Sequence, residues 1–133
     1  MSEYFIGTDI VSVSRIEKIL QQYSDRFKTH VFTDKEKSYC DLKSNPAIHY
    51  AGRFAAKEAV KKALYSSSII NSIDFADIDI TPGASGAPQV KLSNTDLDNV
   101  LVKISISHTD EFATAFALIT LSWNYLLKSN QKN

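Results

Sequence analysis

A chain of 133 residues, 44% of them hydrophobic, can build one ordinary core, and nothing in its composition reads as disordered. Fifteen basic residues balance fifteen acidic ones, which excludes a global field that would steer the chain to nucleic acid or a charged membrane surface. The lone Cys40 excludes an internal disulfide and a cysteine-rich zinc site, and no stretch reads as a secretory signal or reaches spanning length, so a cytoplasmic protein is expected.

"EYFIGTDIVSV" (3–13) reads as a strand rich in aromatic and β-branched residues, interrupted by Asp9, whose charge needs a hydrogen-bonding or cationic neighbour or a bound cation. Val13, Ile16, Ile19, Leu20 and Tyr23 then recur at helical spacing and predict a helix over 13–24, with Ser12 or Ser14 as N-cap. Thr33 followed by Glu36 is a capping-box pattern that starts a second, short helix. Asn45 and Pro46 open a long helix to about Leu64.

Ile73, Phe75, Ile78 and Ile80 alternate imperfectly, and "TPGASGAP" leads from them to "QVKLS", which predicts a hairpin. Asp96 to Val102 is expected as a short helix. "VKISISH" and "FATAFALITL" read as strands joined at "TDE", the last one apolar on both faces and therefore central or covered. One domain over 1–133 is expected, with a polar tail from about 127.

Within "RFAAKEAVKK", Glu58 and Lys62 share a helix face at i and i+4, while Arg53, Lys57 and Lys61 form an adjacent stripe. Read plainly this is a solvated face; read chemically, Asp9 and Glu58 suffice for magnesium and the lysines would neutralise phosphate. His108 is in phase with Ile104 and Ile106, as a strand-end residue or a phosphate ligand at the mouth of the sheet. Ser105 and Ser107 lack a Gly-x-Ser-x-Gly turn, which argues against a serine hydrolase, and Cys40 reads as a packing residue. Arg15, Lys18, Arg26 and Lys28 are either ordinary surface or a landing strip for an acidic helix, Arg26 and Lys28 lying past the end of the first helix. The same groups also permit a magnesium-dependent hydrolase of a nucleotide or coenzyme A pyrophosphate, or a noncatalytic module that binds acidic helices.

In order and spacing, "GTDIVSVSRI", "FTDKE", "AGRFAAKEAVKKAL", "GAP" and "ISISHTDEFATAFAL" resemble the small acyl carrier protein synthases, over nearly the whole chain. The resemblance implies an α+β 4′-phosphopantetheinyl transferase fold, an antiparallel sheet packed with one long and several short helices, assembled as a trimer with its active sites between subunits. It implies transfer of the 4′-phosphopantetheine arm of coenzyme A to a serine of apo acyl carrier protein in support of fatty acid biosynthesis, with release of adenosine 3′,5′-bisphosphate and a requirement for Mg2+. By motif position Asp9 and Glu58 would hold the metal; Lys57, Lys62 and His108, with Arg53 beside them, would contact coenzyme A phosphates; Arg15, Lys18 and Arg26 would receive the carrier protein. Asp9, Glu58 and Lys62 are the implied catalytic set. Glu58, acting through a bound water, is the first choice of general base, and Asp34 the second.

Overall fold

The structure, a computed structural model, describes residues 3–121; the tail expected from about 127 lies outside them. In chain order it contains β1 (Glu3–Ser12), α1 (Val13–Val31), α2 (Asp34–Asp41), α3 (Pro46–Ser67), β2 (Ile78–Pro82), β3 (Pro88–Leu92), β4 (Val100–His108) and β5 (Phe112–Leu121), with single 3-10 turns at Phe75–Asp77 and Thr95–Leu97. The α+β class is as expected: β1, β5 and β4 form an antiparallel sheet in that order, and β2 pairs antiparallel with β3.

The central strand is β5, as its two-faced apolar sequence demands. Its Ala113, Ala115, Ala117 and Ile119 are buried beneath α3, whose Ala55, Ala56, Ala59 and Ala63 are fully buried in return. Alanine on both surfaces lets helix and sheet approach closely, and at Gly7 they approach to the limit. A Cβ there would lie far inside contact distance of the Ala59 carbonyl oxygen and 2.8 Å from the Ala63 nitrogen. The strand therefore crosses the helix at the one residue type that permits it, and Asp9, two positions on, leaves the same face of the sheet.

The helix ends are set locally. Ser12 caps α1 by accepting from the Arg15 N–H, and the Thr33–Glu36 capping box forms as expected at α2. Asn45 precedes α3, with Pro46 in its first turn, and the helix runs three residues past the expected end at Leu64.

Three expectations are corrected. First, α1 continues to Val31, through a kink at Tyr23 (φ −134°, ψ 35°). The apolar stripe continues past the kink, with Phe27 partly buried and Val31 buried at positions i+14 and i+18 from Val13, and Arg26 and Lys28 lie within the helix. Second, residues 96–102 hold only the end of a 3-10 turn; Val100, Leu101 and Val102 join β4, where alternation of partly buried and exposed residues fits a strand. Third, Ile73 and Phe75 precede the hairpin, whose first strand starts at Ile78. Cys40 is a packing residue as expected: it is fully buried, and burial pushes its thiol up to about 12.

Candidate active site

The carboxylate in β1 has its cation. Asp9 Oδ1 accepts from Lys62 Nζ at 3.1 Å, and the same ammonium donates to the Thr8 carbonyl at 2.9 Å. Lys62 thus turns from the solvated helix face to the strand, and Glu58, partly buried one turn earlier on that side of α3, stands beside it without a hydrogen bond or ion pair among the described residues. Asp9, Glu58 and Lys62 are thereby brought to one edge of α3.

Arg53 and His108 belong to a different cluster. Arg53 is 93% buried as the complement of its 7% exposure, its guanidinium lies 4.0 Å from the centre of the Tyr39 ring, and its buried Nε has no hydrogen-bond partner among the described residues. Lys43 approaches the same ring at 4.5 Å. His49, one turn before Arg53, packs edge-on against Tyr39 and against His108 at the end of β4, with ring centres 5.9 and 6.4 Å apart. Burial holds the His49 imidazole below its ordinary pKa, and the charges acting on it, Arg53, Lys43 and His108, push the same way. Four basic side chains converge here, and among the described residues none of them forms an ion pair with a carboxylate, an arrangement that suits an anion. His49, Lys43 and Tyr39 were not singled out in the sequence; the spacing of His49 four residues before Arg53 on one helix face was the available signal.

The expectation for Lys57 fails on geometry. Its ammonium is fully buried and bonded to Glu36 at 2.6 Å, to the Phe75 carbonyl at 2.9 Å and to the Ile78 carbonyl at 2.7 Å. All three protons are spent inside the chain, which leaves none for a phosphate. The supposed solvated stripe of Arg53, Lys57 and Lys61 is therefore mostly interior, with Lys61 alone partly exposed and 3.8 Å from the Phe75 ring. Asp34 is an exposed first-turn residue of α2 paired with Lys37 at 3.1 Å, beside the β2–β3 hairpin rather than with Asp9, which removes the support for it as second choice of base.

The two clusters flank α3. Arg53 and Glu58 are five residues apart, about 140° around the helix at about 100° per residue. Asp9 lies on one edge strand of the sheet and His108 on the other, with β5 between them beneath the helix.

Magnesium fits the first cluster by its donors. Asp9 supplies a carboxylate whose lone pairs already accept a cation, Glu58 supplies a second, and a hard ion that completes its shell with water and substrate phosphate needs no more. Among the described residues no group of three or more His, Cys, Asp or Glu forms a closed cage.

On α1, Arg15, Lys18 and Arg26 are exposed, and Arg26 lines a cavity of about 1180 Å³ with Ile19, Tyr23, Phe27 and Phe75, next to the Tyr23 kink.

A family model described as the 4′-phosphopantetheinyl transferase superfamily matches residues 5–117. The holo-[acyl-carrier-protein] synthase of Protochlamydia amoebophila is 44% identical over 116 residues, 85% of this chain and 94% of that protein. That of Chlamydia muridarum is 43% identical over 116 residues, 85% of this chain and 91% of that protein. Among solved structures, the Chronobacterium ammoniagenes ACPS–CoA complex is similar with a TM-score of 0.79 at 28% identity, over 90% of this chain and 98% of that one. Helicobacter pylori holo-[acyl-carrier-protein] synthase in complex with coenzyme A gives 0.72 at 33% identity, over 86% and 98%. By the family model over residues 5–117 and relatives more than 40% identical over most of its length, the chain belongs to the holo-[acyl-carrier-protein] synthase family of the 4′-phosphopantetheinyl transferase superfamily.

Proposed function

We propose that the chain transfers the 4′-phosphopantetheine group of coenzyme A to a serine of apo acyl carrier protein, in the cytoplasm and in support of fatty acid biosynthesis. The observation that carries this reading is the pair of clusters: two carboxylates with a lysine on one flank of α3, and on the other four basic side chains that form no ion pair among the described residues. Coenzyme A has a pyrophosphate for the first and a separate 3′-phosphate for the second.

Magnesium, held by Asp9 and Glu58, would neutralise charge on the pyrophosphate oxygens. Lys62, released from Asp9 toward the phosphate, adds a second positive charge where the leaving oxygen develops its own. The serine hydroxyl attacks the pantetheine-side phosphorus, the bridging P–O bond breaks, adenosine 3′,5′-bisphosphate leaves, and the hydroxyl proton passes through a water to Glu58. Arg53, with His108, Lys43 and His49, holds the far phosphate. Because this transfer is largely positioning and charge stabilisation, the residues named need little covalent chemistry of their own. The single buried thiol is compatible with a reducing compartment.

The proposal includes a homotrimer with shared sites. In one chain α3 and β5 stand between Asp9 and His108, so one ligand reaching both clusters is accommodated more directly between neighbouring chains. The face of the sheet opposite α3 exposes Tyr4, Ile6, Ile10, Leu101, Phe112 and Phe116, at 42–67% of their surface, an apolar patch that a second and third copy would cover. Light scattering at micromolar concentration should return three chains. A fully active monomer would contradict the shared site.

Carrier docking is assigned to Arg15, Lys18 and Arg26 on α1, where complementary charge speeds encounter with an acidic helix. Arg15→Glu should raise the carrier KM by about tenfold or more at low salt and leave the coenzyme A KM within about twofold. An unchanged carrier KM would remove Arg15 from the docking surface.

A further inference from the structure

Glu36 is fully buried and makes more than a capping box. One carboxylate oxygen accepts from the Thr33 N–H at 2.8 Å and from Lys57 at 2.6 Å; the other accepts from the Ile80 N–H at 2.8 Å. Lys57 in turn donates to the Phe75 and Ile78 carbonyls. Three oxygens surround Nζ, a full complement for its donors, while burial pushes the carboxyl up and the ammonium down and the attraction between the two opposes both shifts. The start of α2, the middle of α3 and the start of β2 are thus joined at a single point.

Apart from Lys62, whose ammonium donates to the Thr8 carbonyl and Asp9 on β1, the α3 contact with the sheet is apolar. Alanines at 55, 56, 59 and 63 cluster with alanines at 115 and 117, and apolar surfaces of this kind resist separation more than rotation. Tyr50 pins the first half of the helix to Asp41 at 2.7 Å. Lys57 pins the second half, and the next residue is Glu58.

We infer that Glu36 is a positioning residue of the active site: through Lys57 it fixes the rotation of α3 that presents Glu58 and Lys62 to Asp9. The inference rests on the transferase reading above and adds to it a residue that touches neither substrate nor metal. Its effect is steep because a displacement of about 1 Å at a reacting group can cost about 10²-fold.

The test titrates Mn2+ calorimetrically onto the full chain without coenzyme A, in wild type, Glu36→Gln and the double variant Glu36→Leu/Lys57→Met. The double variant buries no charge, and replacing a buried ion pair by apolar groups of similar volume is often neutral for stability, so it decides the matter where Glu36→Gln fails to fold. Both variants are expected to bind Mn2+ about tenfold or more weakly than wild type, the size of effect seen when groups that orient a metal ligand are removed. At saturating magnesium kcat should fall about tenfold or more with the carrier KM within about twofold. A pair that only stabilises the fold would lower the melting temperature and leave the Mn2+ affinity of the folded variant within about twofold of wild type, which would overturn the inference. Wild-type protein that bound no Mn2+ would overturn the two-carboxylate metal site, and this inference with it.

Discussion

Asp9→Ala is expected to lower transfer by on the order of 10³-fold or more, and Glu58→Ala to do the same, while far-UV circular dichroism stays that of wild type. Asp9 is paired with Lys62, so its removal frees a lysine that is 53% exposed and still holds the Thr8 carbonyl. With Lys62 half in solvent and Asp9 partly buried, solvent screens the pair, which contributes about 1 kcal/mol, so the stability change is small against the catalytic one. Steady-state kinetics over a magnesium series, with dichroism as the check on folding, separates the two. Near-native turnover in either folded variant would remove that residue from the site.

Gly7→Ala is expected to be among the most destabilising single-methyl additions in the chain, about 3 kcal/mol or more, or roughly 10 °C in melting temperature. The new Cβ would meet backbone, the Ala59 carbonyl and the Ala63 nitrogen, rather than the end of a side chain that could swing away. Helix and strand would have to separate where their alanines make the core. Because Asp9 follows two positions later on the same strand, transfer should fall in the fraction that still folds. Thermal denaturation of Gly7→Ala beside Gly52→Ala gives the comparison, since a Cβ at Gly52 meets only a side-chain methyl of Ile106, at 3.1 Å.

Much of this was legible because it is written locally. A carboxylate inside a β-branched strand signals a cation whatever the fold, and Asp9 has one in Lys62. Thr33 and Glu36 make a capping box within four residues, and β5, apolar on both faces, had to be central. What escaped was written between distant segments. Lys57 reads as one of a solvated row because its partners, Glu36, Phe75 and Ile78, come from two other parts of the chain. The cluster of His49 and Arg53 with His108 needs the end of β4 brought against α3, which helical spacing cannot reveal. The second half of α1 was legible too, since Phe27 and Val31 continue the spacing of Leu20 and Tyr23; the polar run from Gln21 to Arg26 around Tyr23 masked it, and the structure kinks there without ending the helix.

The central claim is the transfer itself, and mass spectrometry of the acceptor tests it most directly. Incubated with coenzyme A, magnesium and apo acyl carrier protein, the enzyme should add the mass of the phosphopantetheine arm to the carrier's serine and release an equal amount of adenosine 3′,5′-bisphosphate. Free phosphopantetheine beside an unmodified carrier would make the protein a hydrolase, and intact coenzyme A beside an unmodified carrier would make it a binding module; either result contradicts the account.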